Sequence, residues 1–471
     1  MRGRTKAKTP RRWLLLAALV AASSPFACGG PASSGVPVDP PAMPWDGISP
    51  ASAVDIDPRA GVVHVRIDAA PLPAPGPASD TTGPLAPMGP FAPTLGYSGS
   101  SPGPTIRART GDRVIVDFRN LLGRPTTVHW HGMHVPFEMD GAHWMHPHGL
   151  PDGEQFRFEF QVKRTGTFWY HPHFDTAHQV DGGLFGALVV EALDEPEVDA
   201  DLVLVLDVWG EAAVGRPDAH QSGSSWRVNN HVQPRYAIKG GSTVRVRMIN
   251  ASNHGYLDLR WPGMRRIAGD QGLLAVDEQG DSALLAPGDR SEFEWSIGAT
   301  GFTVESRPYT LHGGRASGPA QPLLFVDVAE PAPAPQRLAW PFSGARPTVD
   351  SGSPDIVYVL QGDTSTDEWL INGQQFPNVA PETIPLGATK VVEVRNLSPT
   401  EHPFHIHGHA FELLSRDGIP APTFTWEDTI NVPVHGTVRL RLPADNPGDW
   451  MAHCHILQHA EGGMMTVLRV H

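Results

Sequence analysis

The sequence is poor in cysteine, in long apolar runs and in positive charge, and each shortage excludes a class of protein. Only Cys28 and Cys454 occur in 471 residues, so a disulfide framework is excluded. Lys and Arg number 36 against 50 Asp and Glu, a net charge of −14, which argues against nucleic acid as a partner. No apolar run is long enough for a membrane span, so we expect no transmembrane segment.

Glycine and proline are plentiful, at 49 and 48 residues, while 40% of the chain is apolar. This balance is typical of many short strands joined by turns and predicts an all-β protein. Six basic side chains in residues 1–12 precede an apolar run that ends at Ala22, and they predict a signal peptide over residues 1–27. We therefore expect an exported protein, periplasmic or extracellular.

Two features of the leader leave the export route and the anchoring open. The pair Arg11-Arg12 resembles a twin-arginine signal, the route of proteins that fold around a cofactor before export. Cys28 comes directly after the predicted signal peptide. It is either acylated as a lipoprotein anchor or lies next to an ordinary cleavage site.

One phrase, a glycine, a β-rich octet and an asparagine, occurs three times, at residues 111–120, 241–250 and 387–396. Each copy is a turn glycine before a strand of alternating pattern, so the repeats predict three copies of one β-sandwich domain. The predicted boundaries are a flexible segment (28–54), a first domain (55–195), a second domain (196–330), a linker (331–350) and a third domain (351–471).

The residues after each repeat distinguish the three domains. Nine residues after Asn120 the chain reads His129-Trp-His131, and nine residues after Asn396 it reads His405-Ile-His407. The corresponding positions of the middle repeat hold no histidine. Domains one and three are therefore predicted to supply matched pairs of metal ligands. The middle domain is expected to act as a spacer without metal ligands and as a candidate wall of a substrate cleft.

The histidines form four pairs of the His-x-His type. Residues two apart on a strand point to the same face, so each pair directs two imidazoles toward one metal cluster. A closed zinc site takes four ligands and favours thiolates, so eight imidazoles argue against zinc. The pairs are His129 with His131, His171 with His173, His405 with His407, and His453 with His455.

Cys454 lies between the two histidines of the last pair. The alternation of a strand sends Cys454 to the face opposite His453 and His455, so one strand is expected to serve two metal sites. His402, His459 and Met464 offer two imidazoles and a thioether on the cysteine side. Two histidines, a cysteine and a weak axial methionine are the ligands of a blue, type 1 copper site.

With these motifs, the sequence resembles the three-domain multicopper oxidases of the laccase type over residues 60–471. The resemblance rests on four motifs and the spacing of ten histidines, one cysteine and one methionine. It also includes the phrases Pro102-Gly-Pro-Thr-Ile106 and Asp445-Asn-Pro-Gly-Asp-Trp450. The four motifs are His129-Trp-His-Gly132, Trp169-Tyr-His-Pro-His173, His402-Pro-Phe-His-Ile-His-Gly-His409 and His453-Cys-His-Ile-Leu-Gln-His459 through Met464.

The resemblance implies the fold and the cofactors. It implies three consecutive cupredoxin-like Greek-key β-sandwich domains and four copper ions per chain: one type 1, one type 2 and two type 3. His402, Cys454, His459 and Met464 would bind type 1 copper, and His129 with His405 would bind type 2 copper. The type 3 pair would take His131, His171, His173, His407, His453 and His455.

The resemblance also suggests a role for acids near the cluster. Asp140 resembles the family carboxylate that assists proton transfer to dioxygen; the alternative is an ordinary loop acid. Some bacterial members carry an acid directly after the second type 1 histidine, where this chain has Ala460 followed by Glu461. Glu401, beside His402, is interpreted as a solvated acid at the rim of the type 1 site.

The expected function is the one-electron oxidation of a donor coupled to the reduction of dioxygen to water. The 11 methionines form no methionine-rich run, which favours a phenol or aromatic amine over a cuprous ion as donor. The alternatives are a cuprous oxidase in copper tolerance and a copper-binding envelope protein. We expect a monomer, and we interpret the cluster His143, His146 and His148 as a polar loop rather than an accessory metal site.

Overall fold

The structure is a computed structural model that describes residues 43–44, 47–73, 93–142, 148–209, 225–349, 352–363, 366 and 368–471. The predicted signal peptide, residues 1–27, and Cys28 lie outside these residues, as do His143 and His146. In the described part of the chain, no helix has the length and apolar character needed to cross a membrane.

The first third of the chain consists of short strands and one helix. These are β1 (Met43–Pro44), β2 (Val62–Pro71), β3 (Leu95–Tyr97), β4 (Gly103–Arg109), β5 (Arg113–Asn120), β6 (His129–His131), β7 (Gln155–Gln161), β8 (Gly166–His171), α1 (Thr176–Asp181) and β9 (Gly186–Glu191). A 3-10 turn covers Phe137–Met139.

The middle third is formed by strands. These are β10 (Ala200–Trp209), β11 (Ser225–Val228), β12 (His231–Val232), β13 (Arg235–Lys239), β14 (Thr243–Asn250), β15 (Leu257–Arg260), β16 (Arg265–Gly269), β17 (Gly272–Gln279), β18 (Ala283–Leu285), β19 (Arg290–Ser296), β20 (Phe302–Arg307), β21 (Tyr309–Thr310), β22 (Gly314–Arg315) and β23 (Gln321–Ala329).

The last third comes after residues 331–349, which contain neither helix nor strand. Its elements are β24 (Ile356–Asp363), β25 (Glu368–Ile371), β26 (Glu382–Ile384), β27 (Thr389–Asn396), β28 (His402–Ile406), β29 (Phe411–Arg416), β30 (Ile419–Pro420), β31 (Trp426–Glu427), β32 (Thr429–Val432), β33 (Thr437–Pro443), β34 (Gly448–Cys454), α2 (Leu457–Glu461) and β35 (Met465–Val470).

Each third contributes two main sheets, and these pairs of sheets are called the first, second and third sandwich. Strands β21 and β22 form a separate two-stranded sheet, and β1 joins the second sandwich. The first sandwich has the strand orders β3-β2-β5-β7 and β4-β9-β8-β6. The second has β1-β13-β23-β20-β15-β18 and β12-β11-β10-β14-β19-β16-β17, and the third has β25-β24-β27-β33-β29-β30 and β26-β35-β34-β28-β32. The all-β prediction of three cupredoxin-like sandwiches is confirmed, whereas the residue boundaries of the domains stay a prediction.

Each sandwich buries its own apolar core between its two sheets. Alternating residues of the strands, such as Val114, Val116 and Phe118 of β5, point into the core of the first sandwich. Separate cores fill the second and third sandwiches. A fourth apolar cluster contains Trp169, Ile249 and Leu457, one from each sandwich, so the three units pack together around it.

The three copies of the repeated phrase occupy the same place in the three sandwiches. They form β5, β14 and β27, each paired in parallel with β2, β10 or β24 on one side. On the other side each pairs antiparallel with β7, β19 or β33. The sequence repeat is therefore a repeat of topology.

The asparagine at the end of each phrase fixes the loop after it. Asn120, Asn250 and Asn396 are buried, and each side-chain amide donates to backbone carbonyls of that loop or beyond it. Each side-chain oxygen accepts the backbone N–H two residues on. A buried amide with all partners satisfied gives a defined chain path. These loops lead to β6, β15 and β28, two of which carry the histidine pairs.

Candidate metal centre

Strand pairing brings the predicted ligands of one sandwich face to face. In the first sandwich, β6 and β8 place His129 opposite His171. In the third sandwich, β28 and β34 place His405 opposite His453 and Phe404 opposite Cys454. Directly opposite residues of an antiparallel pair have neighbouring side chains. In each of these two sandwiches, two histidine motifs that are distant in sequence thus lie side by side.

The two sandwiches together bury one cluster of eight histidines. The ring of His129 stacks on that of His407 with centroids 3.8 Å apart, and the ring of His131 stacks on that of His405 at 3.9 Å. All eight residues are at most 6% exposed. They are His129, His131, His171, His173, His405, His407, His453 and His455.

Three of these histidines converge on one point. The Nε2 atom of His453 lies 2.9 Å from Nε2 of His407 and 3.4 Å from Nε2 of His173. Nitrogens that face each other across such distances can all bind one metal ion, because metal–imidazole bonds are about 2.0–2.1 Å long. His129, His405 and His407 form a second group able to hold an ion, as do His129, His131 and His171.

The second nitrogen of most rings is held by the protein, which leaves the inward nitrogen without a proton. Nδ1 of His171 donates to the Pro172 carbonyl at 2.8 Å, and Nδ1 of His405 donates to the Asp428 carbonyl at 2.9 Å. Nδ1 of His453 donates to the Cys454 carbonyl at 2.9 Å. Such anchors fix the ring orientation and the tautomer of metal-binding histidines.

The inward nitrogens fit a metal cluster. Buried ring nitrogens of His129, His171, His405 and His455 have no hydrogen-bond partner among the residues that the structure describes. An unpartnered buried nitrogen is costly unless something binds it. Burial lowers the pKa of His171 and His407, and it lowers that of His453 to about 3, so these rings are neutral, as metal ligands must be. The residues present therefore fit the copper ions that the resemblance implies.

A second, smaller group surrounds Cys454. Its Sγ atom lies 3.4 Å from Nδ1 of His402 and 3.7 Å from Nδ1 of His459, and the two nitrogens are 3.2 Å apart. Two nitrogens and a sulfur at these separations could all bind one metal ion, because metal–nitrogen bonds are about 2.0–2.1 Å long and metal–sulfur bonds about 2.3 Å. All three side chains are buried. Burial raises the pKa of the Cys454 thiol, so a bound cation is needed to keep it as thiolate.

The surroundings of this group fix its ligands firmly. Ser398 Oγ is 2.5 Å from Nε2 of His402, which leaves Nδ1 to face the sulfur. The indole of Trp369 stacks on the ring of His459 at 3.5 Å. Met464 is buried in the same core cluster as Cys454, its N–H donates to the His459 carbonyl, and its own carbonyl accepts the Cys454 N–H. Met464 is thus tied by its backbone to both ligands.

Asp140 lies against the histidine cluster and is 1% exposed. Its Oδ2 atom accepts a hydrogen bond from Nδ1 of His407 at 2.9 Å, and its backbone carbonyl accepts one from Nδ1 of His129 at 3.0 Å. The interpretation as an ordinary loop acid does not match this burial. Asp140 contacts two predicted ligands from two different sandwiches.

Two residues of this centre were missed by the sequence reasoning. Asp428 accepts a hydrogen bond from Nε2 of His131 at 3.1 Å, and its carbonyl accepts one from His405. Arg290, from β19 of the second sandwich, makes a bidentate ion pair with Asp428. Burial tends to raise the pKa of Asp428, but the Arg290 charge and hydrogen bonds hold it well below its ordinary value. No metal-ligand spacing surrounds either residue, so the sequence carries no signal for them.

The interpretation of Glu401 as a solvated rim acid was wrong. Glu401 is 3% exposed, and it accepts hydrogen bonds from the Tyr309 hydroxyl at 2.9 Å and from the Asn431 amide at 2.6 Å. Burial raises its pKa. Glu401 is therefore buried and hydrogen-bonded within the protein rather than exposed to a donor in solvent.

Glu461 lies on a cleft beside the histidine cluster. The cleft, of about 890 Å³, has His173, His453 and Glu461 among its lining residues. Glu461 Oε1 also accepts the Ala177 N–H at 3.0 Å, at the start of α1, and burial raises its pKa. His148 of the remaining histidine tract is exposed on a turn, while its companions His143 and His146 lie outside the described residues.

Comparison with known proteins supports this picture. Residues 81–195 and 348–471 match two family models, both described as multicopper oxidase. A multicopper oxidase of Mycobacterium tuberculosis is 28% identical, over 85% of this chain and 89% of its own. One of Staphylococcus epidermidis is 29% identical, over 81% of this chain and 84% of its own. The crystal structure of a multicopper oxidase from Pseudomonas thermotolerans has 27% identity and a TM-score of 0.73, and covers 87% of this chain and 99% of its own.

Proposed function

The chain belongs to the multicopper oxidase family and is a laccase-like copper oxidoreductase with dioxygen as acceptor, and we propose that its donors are phenols or aromatic amines. When bound, copper would supply single-electron oxidation of the donor at the cysteine group and four-electron reduction of dioxygen to water at the histidine cluster. The donor proposal is supported by the absence of a methionine-rich run from the sequence.

We assign one type 1 copper to the cysteine group and three coppers to the histidine cluster. His402, Cys454, His459 and Met464 would hold the type 1 ion, His129 and His405 the type 2 ion, and the other six histidines the type 3 pair. The observation that carries this assignment is the segment His453-Cys454-His455. Its cysteine belongs to one group and its histidines to the other. One peptide bond joins Cys454 to His453 and another joins it to His455, so the two sites are linked directly through the backbone.

The protein residues around the cluster have two tasks in this proposal. His171, His405 and His453 are held by backbone carbonyls, so their inward nitrogens are directed without motion of the chain. Asp140 is buried beside His407, where a carboxylate can pass on protons that dioxygen reduction requires. Export to the periplasm or beyond, by the twin-arginine route or another, remains part of the proposal.

The test is oxygen uptake by the copper-loaded full chain with a phenol, an aromatic diamine, cuprous ion and manganous ion as donors. We expect uptake with the phenol and the diamine, at four electrons per dioxygen. Uptake with cuprous ion, but with neither the phenol nor the diamine, would instead support a cuprous oxidase. Blue protein that consumes no oxygen with any donor would support the copper-binding envelope protein. The Cys454→Ser variant is the control for oxidation by loosely bound copper.

A further inference from the structure

The second sandwich holds a charged side chain at the histidine cluster, although it supplies none of the predicted ligands. Arg290 is wholly buried, and its Nη1 donates to Asp428 Oδ1 at 2.7 Å. Its Nη2 donates to Asp428 Oδ2, and its other side-chain hydrogen bonds go to the backbone carbonyls of Thr167 at 2.9 Å, Asp270 at 3.1 Å and Gly288 at 3.2 Å. The guanidinium is therefore fixed from all sides and cannot turn away from Asp428.

Asp428 in turn contacts two rings that come from different sandwiches. Its Oδ1 accepts from Nε2 of His131 at 3.1 Å, and its carbonyl accepts from Nδ1 of His405 at 2.9 Å. These two rings are stacked with 12° between their planes. The Thr429 hydroxyl, beside Asp428, lies 3.0 Å from Nε2 of His131. One short segment of the third sandwich thus orients both rings.

The contact with Asp428 also selects the ligand atom of His131. Because Nε2 of His131 faces the carboxylate, its other nitrogen, Nδ1, is the one without a hydrogen-bond partner in the described part of the chain. The predicted ligands His129, His171 and His405 instead have an unpartnered Nε2. A change at Asp428 would therefore permit the His131 ring to turn over and present a different atom to the metal.

The glycine of the first motif is explained by the same ion pair. Gly132 has φ of +83°, and a Cβ atom there would lie 2.5 Å from both Arg290 Nη2 and Asp428 Oδ2. Its carbonyl accepts a hydrogen bond from the Gln271 amide, which also donates to Asp428 Oδ2 at 2.6 Å. Residues of all three sandwiches therefore meet at the Arg290–Asp428 pair directly behind His131.

We propose that Arg290 is a positioning residue for the trinuclear cluster, the three coppers assigned to the eight histidines. It acts through Asp428 on His131 and His405. The second sandwich then helps to orient the copper ligands and is not only a spacer. An uncompensated buried carboxylate is unfavourable, so without Arg290 the Asp428 side chain would leave its place between the rings. The inference rests on the proposed ligand assignment.

The test compares copper-loaded Arg290→Met with the unmodified protein. We expect the blue type 1 absorption to persist, while the type 2 electron paramagnetic resonance signal and the near-ultraviolet absorption of the type 3 pair change or disappear. Turnover should fall about 10- to 100-fold, as is usual when a residue that orients a metal ligand is lost. Arg290→Lys keeps the charge but not the bidentate pair and should give an intermediate result.

Arg247→Met is the matched control. Arg247 is also wholly buried in the second sandwich and pairs with Asp201 and Glu292, but it contacts no predicted ligand. Its loss should lower thermal stability and leave the type 2 and type 3 signals of the folded protein unchanged. Equal loss of these signals in both variants would mean general destabilisation and would overturn the proposal.

Further outcomes separate this inference from the proposed function. If the unmodified protein shows no type 2 or type 3 signal, the proposed function fails, and this inference fails with it. If the unmodified protein shows both and Arg290→Met keeps both, only this inference is wrong. If Arg290→Met does not fold, Asp428→Asn is the deciding variant, because asparagine has the same shape as aspartate. Unchanged type 2 and type 3 signals in Asp428→Asn would contradict the proposal.

Discussion

Cys454 is the residue on which the type 1 assignment depends most. We predict that Cys454→Ser abolishes the intense thiolate-to-copper absorption and lowers donor oxidation by more than about a hundredfold, because a hydroxyl is a harder and poorer copper ligand. The two side chains have nearly the same shape, so the fold should persist. Visible absorption and circular dichroism of the copper-loaded variant test this, and a retained blue band would refute the assignment.

Met464 and Met465 are adjacent, and the structure distinguishes them. Met464 is buried with Cys454, whereas Met465 is half-buried and lines the cleft beside His453. We predict that Met464→Leu raises the type 1 reduction potential while the blue colour survives, because loss of a weak axial donor destabilises oxidised copper. Redox titration measures the potential. Met465→Leu is the control and should leave it unchanged; the reverse pattern would make Met465 the axial ligand.

Asp140 can be tested with a pair of substitutions. Asp140→Asn keeps an oxygen acceptor for the His407 ring, so copper content and type 1 reduction should persist, while turnover slows because an amide cannot relay a proton. The slowing should be larger at high pH, where protons are scarce. Asp140→Ala also loses the acceptor and should lose trinuclear copper. Equal turnover of Asp140→Asn and unmodified protein across pH would leave Asp140 a purely structural acid.

The ligand-bearing strands are the elements that the sequence predicts best. Alternation in His453-Cys454-His455 predicts two opposite faces, and the structure places Cys454 opposite Phe404 and among a different set of ligands from His453. Local spacing carries this information. Arg290 and Asp428 are 138 residues apart and meet only through packing of the sandwiches, so no local pattern could have indicated them.

The junction of the two short helices gives a prediction for pH. Asp181, at the end of α1, is half-buried, and burial raises its pKa to about 7; nearby Glu461 also raises it, while a hydrogen bond from Asn253 lowers it. Between about pH 4 and pH 7 the unfolded chain loses this proton while the folded chain keeps it. The presence of Asp181 therefore becomes more destabilising as pH rises through this range.

We predict that Asp181→Asn removes this dependence. Its free energy of unfolding relative to the unmodified protein should be unchanged near pH 4 and higher near pH 7, by at most about 4 kcal/mol for a shift of about three pKa units. Denaturant unfolding of both proteins at several pH values measures the difference. A difference that stays constant or shrinks as pH rises would show that Asp181 ionises normally in the folded chain.

At the scale of the whole molecule, the repeated phrase was the strongest signal of the fold. Asn120, Asn250 and Asn396 end equivalent strands, and that equivalence predicts three related sandwiches. The contacts between sandwiches were not predictable in the same way. Trp169, Ile249 and Leu457 share one apolar cluster, but nothing in their separate sequences indicates that they touch.

The central claim is that the chain builds two separate copper sites, and His407→Ala tests it most directly. His407 belongs to the histidine cluster and is absent from the group of His402, Cys454 and His459. The reciprocal variant His402→Ala should lose the blue band. For copper-loaded His407→Ala we predict an intact blue band that a donor still bleaches, with no return of colour and no oxygen uptake when air is admitted. Loss of the blue band from folded His407→Ala, or continued reduction of dioxygen to water, would contradict the account.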